Sequence, residues 1–284
     1  MKSEMITSVL LITSSISIFH ILHKPTTMLL LLSPSKTIHN QPTLATDLTT
    51  LPQFLNRASG LVEILKRMSV EELSRFMGIS KSLALLNYTR IREWSEISHS
   101  RAGYPAVYAF RGDVYEGLQA ETMDATDMTE AQSRLRILSG LYGILRPLDR
   151  ILPYRLEMGS KLETKEGKDL YTFWGDDPTI HLNELVRETG YGQVVNLAST
   201  EYFKVLLPKK IHANLIHPEF RDYRDGAYRI IGIHAKRARG LMASYLIRNR
   251  IKDMEGIKGF MAEGYSFNER LSEARIPVFT RDIK

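Results

Sequence analysis

Residues 28–37 read MLLLLSPSKT, and this stretch indicates the kind of fold to which the chain belongs. The run from Leu29 to Leu32 has the length and the continuous apolar character of a buried strand. The serine- and proline-containing segment that follows is typical of a turn. A sheet strand that leads into a polar loop carrying Lys36 is therefore the first predicted feature.

The rest of the chain alternates between helical and strand patterns. Apolar residues at helical spacing predict helices at 52–67, 129–145, about 178–189, and in a basic segment that begins at residue 235. Ser69 to Glu72 reads S-x-x-E, a capping box that predicts a further helix start. Short apolar runs predict strands at 106–110, 194–199, 211–220 and 227–235, the last two joined across Asp225-Gly226. Because no strict βαβ rhythm is present, we expect a mixed α+β fold with a central mixed sheet flanked by helices.

The first 27 residues differ from the remainder. They include MITSVLLITSSISIFHIL, an apolar run that is interrupted by polar residues and has no clear cleavage site after it. We expect residues 1–27 to be an over-extended or disordered N-terminus, with a secretory signal as the alternative. The expected domain is residues 28–284, because no linker or repeat divides this part of the chain.

Composition restricts the chemistry that is available. The chain has 284 residues, a net charge of +6 and no cysteine. Disulfides, thiolate metal sites and cysteine nucleophiles are therefore excluded. The positive charge permits a polyanionic partner without requiring one. The absence of cysteine is in keeping with a reducing cytoplasm, where we expect the protein to be located.

Residues 76–84 read FMGISKSLA, the layout of a helix-hairpin-helix motif within 69–92. Gly78 stands where the first helix must stop, and Ser80 can cap a second helix whose apolar face continues through Leu83 and Leu86. Free N–H groups at such a turn bind phosphate without reading bases. The DNA-binding candidates of this motif are Gly78, Ile79, Ser80, Lys81 and Ser82. A plain helical corner is the alternative.

A second candidate surface lies between Lys204 and Lys258, where 13 lysine and arginine residues stand against 5 acidic residues. Clustered positive charge is the electrostatic signature of nucleic-acid binding, although a solvated helix face has the same composition. The candidates are Lys204, Lys209, Lys210, Lys236, Arg237 and Arg239. Lys36 joins them if the strand at 28–32 lies beside the strand at 194–199.

Motifs of known catalytic or metal-binding chemistry are not found. The sequence has no G-x-S-x-G, phosphate-binding loop or dinucleotide fingerprint, and its histidines lack ligand spacing. We therefore expect no metal and no cofactor, and the sequence favours a protein that is not an enzyme. An active site for acid–base chemistry is the alternative. It would require the fold to bring together a set of polar and charged residues: Ser33, Ser35, Lys36, Asp113, Glu157 and Asp176.

Six blocks in order resemble the YaaA family of bacterial peroxide-stress proteins: MLLLLSPSKT, FRGDVYEGLQA, LRILSGLYGILRPLDRILPYRLEMG, DLYTFWGD, VVNLASTEYFK and AKRARGLM. The resemblance runs from Met28 to about Arg281. It implies a cytoplasmic protein that helps bacteria to survive hydrogen peroxide by limiting free intracellular iron. It also implies DNA binding, a helix-hairpin-helix element, a positively charged cleft and a family-specific fold described as cannonball-like.

Three functions therefore compete. The first is a DNA-binding stress protein that contacts duplex phosphates with weak sequence preference. The second is an enzyme acting on a nucleotide or another phosphorylated small molecule in a cleft between Lys36 and Lys236, and the third is a direct iron binder. A deep pocket with carboxylates would favour the enzyme, whereas an open groove would favour the DNA-binding protein. No membrane association and no protein partner are inferred.

Overall fold

The computed structural model describes residues 28–39 and 48–282, so the predictions for residues 1–27 lie outside the described residues. Its strands are β1 (Met28–Leu32), β2 (Thr37–Ile38), β3 (Tyr104–Pro105), β4 (Phe110–Arg111), β5 (Leu135–Ser139), β6 (Gly143–Leu145), β7 (Arg150–Ile151), β8 (Gln193–Leu197), β9 (Asn214–Ile216), β10 (Glu219–Arg224), β11 (Ala227–Arg229), β12 (Ser266–Phe267) and β13 (Val278–Asp282). Its α-helices are α1 (Leu55–Leu65), α2 (Val70–Met77), α3 (Lys81–Glu93), α4 (Glu96–Ala102), α5 (Ala106–Ala109), α6 (Asp113–Leu118), α7 (Ala125–Arg134), α8 (Leu170–Trp174), α9 (Asp177–Thr189), α10 (Thr200–Phe203), α11 (Gly232–Arg248) and α12 (Met254–Lys258). Short 3₁₀ turns lie at Ala120–Thr122, Lys204–Leu206, Pro208–Lys210 and Glu269–Leu271.

The apolar strand β1 is the centre of the main sheet. It pairs in parallel with β5, where Leu30 lies opposite Leu135, and with β8, where Met28 lies opposite Gln193. All five of its residues are buried. A central strand that is covered on both faces needs apolar side chains at every position, which is why this run does not alternate. The predicted adjacency of the strands at 28–32 and 194–199 is confirmed.

The main sheet has the strand order β6-β5-β1-β8-β9, and only β6 runs antiparallel to its neighbour. A second sheet has the order β11-β10-β13-β12 and contains both parallel and antiparallel pairs. Their buried side chains join one hydrophobic cluster that includes residues of β1, β8, β10 and β13. The described part of the chain is therefore a single compact domain of mixed α+β class, as predicted.

Several local predictions are confirmed. Helices α1 and α9 lie within the predicted segments. The capping box at the start of α2 is formed, because Ser69 Oγ accepts from the Glu72 N–H and the Glu72 carboxylate accepts from the Ser69 N–H. Strands β10 and β11 are joined across Asp225 and Gly226, both with positive φ, as a tight hairpin turn requires.

Two predicted elements are wrong because the apolar pattern was ambiguous. Residues 106–110 form the short helix α5 followed by β4 instead of one strand. The helix predicted at 129–145 ends at Arg134, and the remainder forms the hairpin of β5 and β6. Gly143, with a φ of +70°, lies at that hairpin. When a strand is covered on both faces, its apolar and polar residues do not alternate. Leucines at helical spacing in this segment therefore did not identify a helix.

The predictions for α3 and for the strand pair also need correction. Leu83 and Leu86 are exposed, and the buried side of α3 carries Ala84, Asn87 and Ile91 instead. The strands predicted at 211–220 and 227–235 are shorter, with a break between β9 and β10. The basic helix α11 already begins at Gly232. Within the described residues, no helix is long and apolar enough to cross a membrane.

Helices α6 and α11 cross with almost no space between them. A Cβ on Gly117 would lie 2.2 Å from the Arg237 carbonyl oxygen, and a Cβ on Gly240 would lie 1.8 Å from the Val114 carbonyl oxygen. These distances are far below van der Waals contact, so only glycine allows the two backbones to approach in this way. The crossing fixes the first turns of α11 beside the loop that precedes α6.

Candidate functional site

A cavity of about 400 Å³ lies at the carboxyl ends of β1 and β8. Ligand sites gather at this edge of parallel sheets, because the loops that leave neighbouring strands diverge there. The cavity is lined by Ser33, Pro34, Ser35, Lys36, Arg111, Gly112, Asp113, Val114, Tyr115, Leu197, Ser199, Glu201, Tyr202, Lys236 and Arg239. We call it the basic pocket.

Hydrogen bonds between the two strand ends fix the floor of the basic pocket. The Ser199 N–H donates to Ser33 Oγ at 2.8 Å, and the Ser33 hydroxyl lies 3.3 Å from Ser199 Oγ. The Tyr115 hydroxyl donates to the Ser33 carbonyl oxygen at 3.0 Å. Burial raises the pKa values of the Tyr115 and Tyr202 phenols above their ordinary range, so both remain neutral hydrogen-bonding groups.

Lys236 and Arg239 reach the basic pocket from the first turns of α11, one helical turn apart. Neither head group makes a hydrogen bond or an ion pair with any residue in the described part of the chain. Burial lowers the pKa of the Arg239 guanidinium, and the negative charge of Glu219 offsets this in part. The guanidinium remains charged at neutral pH, because arginine has so high an ordinary pKa. The pocket therefore contains positive charge that the described residues do not neutralise by contact.

Lys36 lies on the other side of the basic pocket and is paired. Its ammonium group lies 2.7 Å from Glu157, which also accepts a hydrogen bond from Arg155. Glu201 lines the pocket and accepts a hydrogen bond from the Gly159 N–H at 2.9 Å. These contacts hold the loop after β7 against the ends of β1 and β8.

A smaller groove of about 280 Å³ lies next to the basic pocket. Its walls include Phe76 and Met77 at the end of α2, together with Glu157, Gly159 and Glu201. Glu201 lines both depressions. The end of helix α2 and the basic pocket are therefore neighbouring parts of the surface, with Glu201 between them.

The turn between α2 and α3 has the backbone geometry that the sequence predicts. Gly78 adopts the left-handed conformation with φ of 61° and ψ of 42°, and Ser80 Oγ accepts from the Leu83 N–H. However, the Ile79 N–H donates to the Ser74 carbonyl oxygen, so it is not available to a ligand. The first amides of α3, those of Lys81 and Ser82, have no acceptor within the helix. Whether this corner is a helix-hairpin-helix motif stays a prediction.

The charged neighbours of this turn are exposed. The Lys81 ammonium lies 3.2 Å from Glu71, and both side chains are more than half exposed. The pKa of Glu71 is lowered, first by a backbone hydrogen bond and then by Lys81. A surface pair of this kind contributes little, so Lys81 can exchange Glu71 for another anion.

Four of the predicted basic residues do not line the basic pocket. Arg237 turns to Glu263, with a hydrogen bond of 2.7 Å. The Lys204 ammonium lies over the Tyr171 ring, 4.6 Å from its centroid. Lys210 pairs with Asp176 at 2.7 Å, and Lys209 is exposed beside it. Of the predicted cations, Lys36, Lys236 and Arg239 meet in the basic pocket.

The acid–base set considered from the sequence is brought together in part. Ser33, Ser35, Lys36 and Asp113 line the basic pocket, and Glu157 contacts Lys36. Asp176 is engaged with Lys210 elsewhere. In the described residues, no group of three or more histidines and carboxylates is arranged to hold a metal ion.

Sequence reasoning did not select Arg111, Tyr115, Ser199 or Glu201, which also line the basic pocket. Two of them could have been predicted from the sequence. Ser199 and Glu201 come shortly after the buried strand β8, where ligand sites gather. No signal marked Arg111, since its segment was predicted as the end of a strand. Its guanidinium pairs with Glu121.

The chain was compared with models of known protein families. A family model described as peroxide stress protein YaaA matches residues 28–271. The match spans β1, both walls of the basic pocket, the turn between α2 and α3, and the whole of α11. The chain therefore belongs to the family of peroxide stress protein YaaA.

Proposed function

We propose that the protein acts in the response to peroxide stress by binding DNA, largely through phosphate contacts, and that it thereby limits damage from free intracellular iron. Membership of a peroxide stress family supports the first part of this proposal. Ferrous iron and peroxide generate radicals at DNA, so a protein on the duplex would shield the segment that it covers. A cytoplasmic location follows from this role.

The observation that carries the proposal is the position of the end of α2 next to the basic pocket. Phe76, Met77 and Glu201 line the smaller groove, and Glu201 also lines the basic pocket that contains Lys236 and Arg239. A DNA backbone that follows both depressions would meet the turn between α2 and α3 at one end and would pass the mouth of the basic pocket, where Lys236 is exposed, at the other. Cations at the two ends would contact separate phosphates, whereas the carboxylates of Glu157 and Glu201 lie between them.

The turn itself suits a phosphate oxygen. Gly78 and Ser80 direct the chain so that the Lys81 and Ser82 amides begin helix α3, where the helix dipole favours negative charge. Lys81 adds a side-chain charge at the same exposed point. Backbone amides and a lysine contact phosphate without reading a base edge. We therefore expect weak sequence preference.

The exposed lysines near α10 extend this surface. Lys204, Lys209 and Lys210 lie outside the basic pocket, and in the proposed complex they contribute long-range attraction to the duplex. Such attraction depends strongly on salt. Removing one of them should weaken DNA binding less than removing a cation that contacts a phosphate directly.

The test is a fluorescence anisotropy titration of a labelled duplex between 50 and 200 mM salt. We expect the logarithm of the affinity to fall linearly with the logarithm of the salt concentration. Lys81→Glu should weaken binding and lower the slope by about one, the contribution of one phosphate contact. Lys252→Glu is the matched control, because Lys252 is exposed after the distal end of α11 and the charge change is the same.

Two outcomes would contradict the proposal. One is an affinity that stays constant across the salt range. The other is an equal loss of affinity in Lys81→Glu and Lys252→Glu, since this would reveal a general charge effect with no contact at the turn.

A further inference from the structure

The basic pocket contains a charge arrangement that a surface for duplex DNA does not require. Lys36 is paired with Glu157, and Arg111 is paired with Glu121. Lys236 and Arg239, by contrast, contact no acidic group among the described residues. These two cations lie one helical turn apart on α11 and line a concave site that also contains the carboxylates of Asp113 and Glu201.

Arg239 is partly buried and has no ion-pair partner among the described residues. Burial lowers the pKa of its guanidinium, and a cation that loses solvent is stabilised when an anion pairs with it. A guanidinium next to an ammonium matches a phosphate group, which accepts several hydrogen bonds at once. These two side chains therefore form a candidate site for an anion that is not part of the chain.

The other lining groups indicate what the anion is attached to. Ser35 Oγ accepts from the Thr37 N–H, which leaves its own O–H free to donate. Asp113 makes no hydrogen bond within the described residues, and a carboxylate can accept from sugar hydroxyls. Pro34, Val114 and Leu197 supply apolar surface. A volume of about 400 Å³ suits a small ligand and excludes a duplex.

We propose that the basic pocket binds the terminal phosphate of a nucleotide-sized phosphomonoester, with Lys236 and Arg239 as its phosphate ligands. This site is separate from the proposed DNA contact at Lys81, and each can fail without the other. The same phosphate chemistry occurs in a free nucleotide and at the phosphorylated end of a DNA strand. The experiment therefore contains both.

The experiment is calorimetric titration of the full chain with adenosine 5′-monophosphate and with adenosine. A twelve-nucleotide single strand is added in parallel, with either a 5′-phosphate or a 5′-hydroxyl. We expect each phosphorylated probe that enters the pocket to bind at least about tenfold more tightly than its partner without phosphate, because one charge-assisted hydrogen bond has this effect. Binding of the mononucleotide would identify a small-molecule site, and binding of the phosphorylated strand alone would identify a strand-end site.

Variants connect the binding to the residues. Arg239→Gln and Lys236→Gln should each weaken the phosphorylated probe at least about tenfold, and Lys252→Gln should leave it unchanged. Since Lys236 is exposed and makes no hydrogen bond or ion pair within the described residues, its variant reports on binding even if Arg239→Gln does not fold. The proposal is overturned if phosphate gives no gain in affinity, or if both variants bind as the parent does.

Discussion

The Ser199 N–H donates a hydrogen bond of 2.8 Å to Ser33 Oγ, across 166 residues of sequence. Ser33 follows β1 and Ser199 follows β8, so this bond joins the two strand ends at the point where their loops separate. The Tyr115 hydroxyl bonds the Ser33 carbonyl oxygen as well. Both sides of the basic pocket thus depend on the position of one serine.

Replacing Ser33 with alanine tests this dependence. Ser33→Ala leaves the half-buried Ser199 N–H without its acceptor, which should lower the free energy of unfolding by about 1–3 kcal/mol. Urea denaturation measures the change. Ser35→Ala is the control, because Ser35 Oγ accepts from an exposed amide that water can satisfy. An equal loss in the two variants would show that the Ser33 bond has no special role.

The crossing of α6 and α11 predicts a large difference between two glycines. Gly240→Ala places a Cβ against the Val114 carbonyl oxygen, so the helices must separate. We expect a loss of several kcal/mol or failure to fold, since overpacking against backbone cannot be relieved by a rotamer change. Thermal denaturation provides the measurement.

Gly60→Ala is the matched control for this prediction. Gly60 lies within α1, and a Cβ there would have no atom within 4 Å. Alanine has the higher helix propensity, so this variant should be stabilised by up to about 1 kcal/mol. If Gly240→Ala is as stable as Gly60→Ala, the described helix crossing is wrong.

The turn between α2 and α3 predicts an effect on stability that is independent of any ligand. Gly78 has a φ of 61°, and Gly78→Val should cost about 1–2 kcal/mol because a branched side chain disfavours this conformation. Ser80→Gly removes the cap of α3 and should cost only a few tenths of a kcal/mol. Thermal stability and duplex affinity are measured together for both variants.

These two variants also separate a phosphate-binding turn from a plain corner. Gly78→Val should displace the Lys81 and Ser82 amides and weaken DNA binding, whereas Ser80→Gly should bind at least as well as the parent. If a folded Gly78→Val binds DNA with the affinity of the parent, the turn is only a corner.

Buried histidine makes the stability dependent on pH. His99 is fully buried, its Nδ1 lies 2.8 Å from the Ser95 carbonyl oxygen, and its Nε2 lies 2.9 Å from the Tyr142 hydroxyl. That hydroxyl already accepts from the Trp94 indole and the Leu152 N–H. It therefore donates to Nε2 and holds the neutral ring. Burial lowers the pKa of His99, and the pKa values of His181 and His217 are lowered for the same reason.

The sign of the effect follows from these shifts. Below the ordinary histidine pKa of about 6.5, the unfolded chain binds more protons than the folded one, so stability falls as the pH falls. The free energy of unfolding should decrease from pH 7.5 to pH 5. His99→Gln should reduce this decrease, whereas His212→Gln, at an exposed position, should keep it. Identical pH profiles for the parent and His99→Gln would contradict the assignment.

Helix α2 was predicted correctly at both ends because the sequence contains explicit end signals. The capping box at Ser69 starts α2 through local hydrogen bonds, and Gly78 ends it with a left-handed backbone conformation. Both signals can be read from the residue types alone. The segment from Leu135 to Ile144 has no such signal. Its side chains are apolar because neighbours cover both faces of the sheet, and that covering depends on parts of the chain far away.

The same distinction explains the site. Lys36, Lys236 and Arg239 were selected because each follows a strand or carries clustered charge. Their meeting depends on the close crossing of α6 and α11, which Gly117 and Gly240 allow and which no local pattern reveals. Arg237 was selected by the same charge pattern, but it lies on another side of α11 and pairs with Glu263. The pattern of charged residues in the sequence does not determine which side of a helix faces a cavity.

The parallel pairing of β1 has a consequence for synthesis on the ribosome. Its first partner begins at Leu135 and its second at Gln193, so more than a hundred residues must be translated before either edge of β1 can pair. At about 5–20 residues per second, translating both partner strands takes on the order of ten seconds or more. During this time, five consecutive apolar residues are exposed to other nascent chains. Translation that stops before Gln193 leaves one edge of β1 without its partner, and we expect such incomplete chains to be recognised by holding chaperones and proteases.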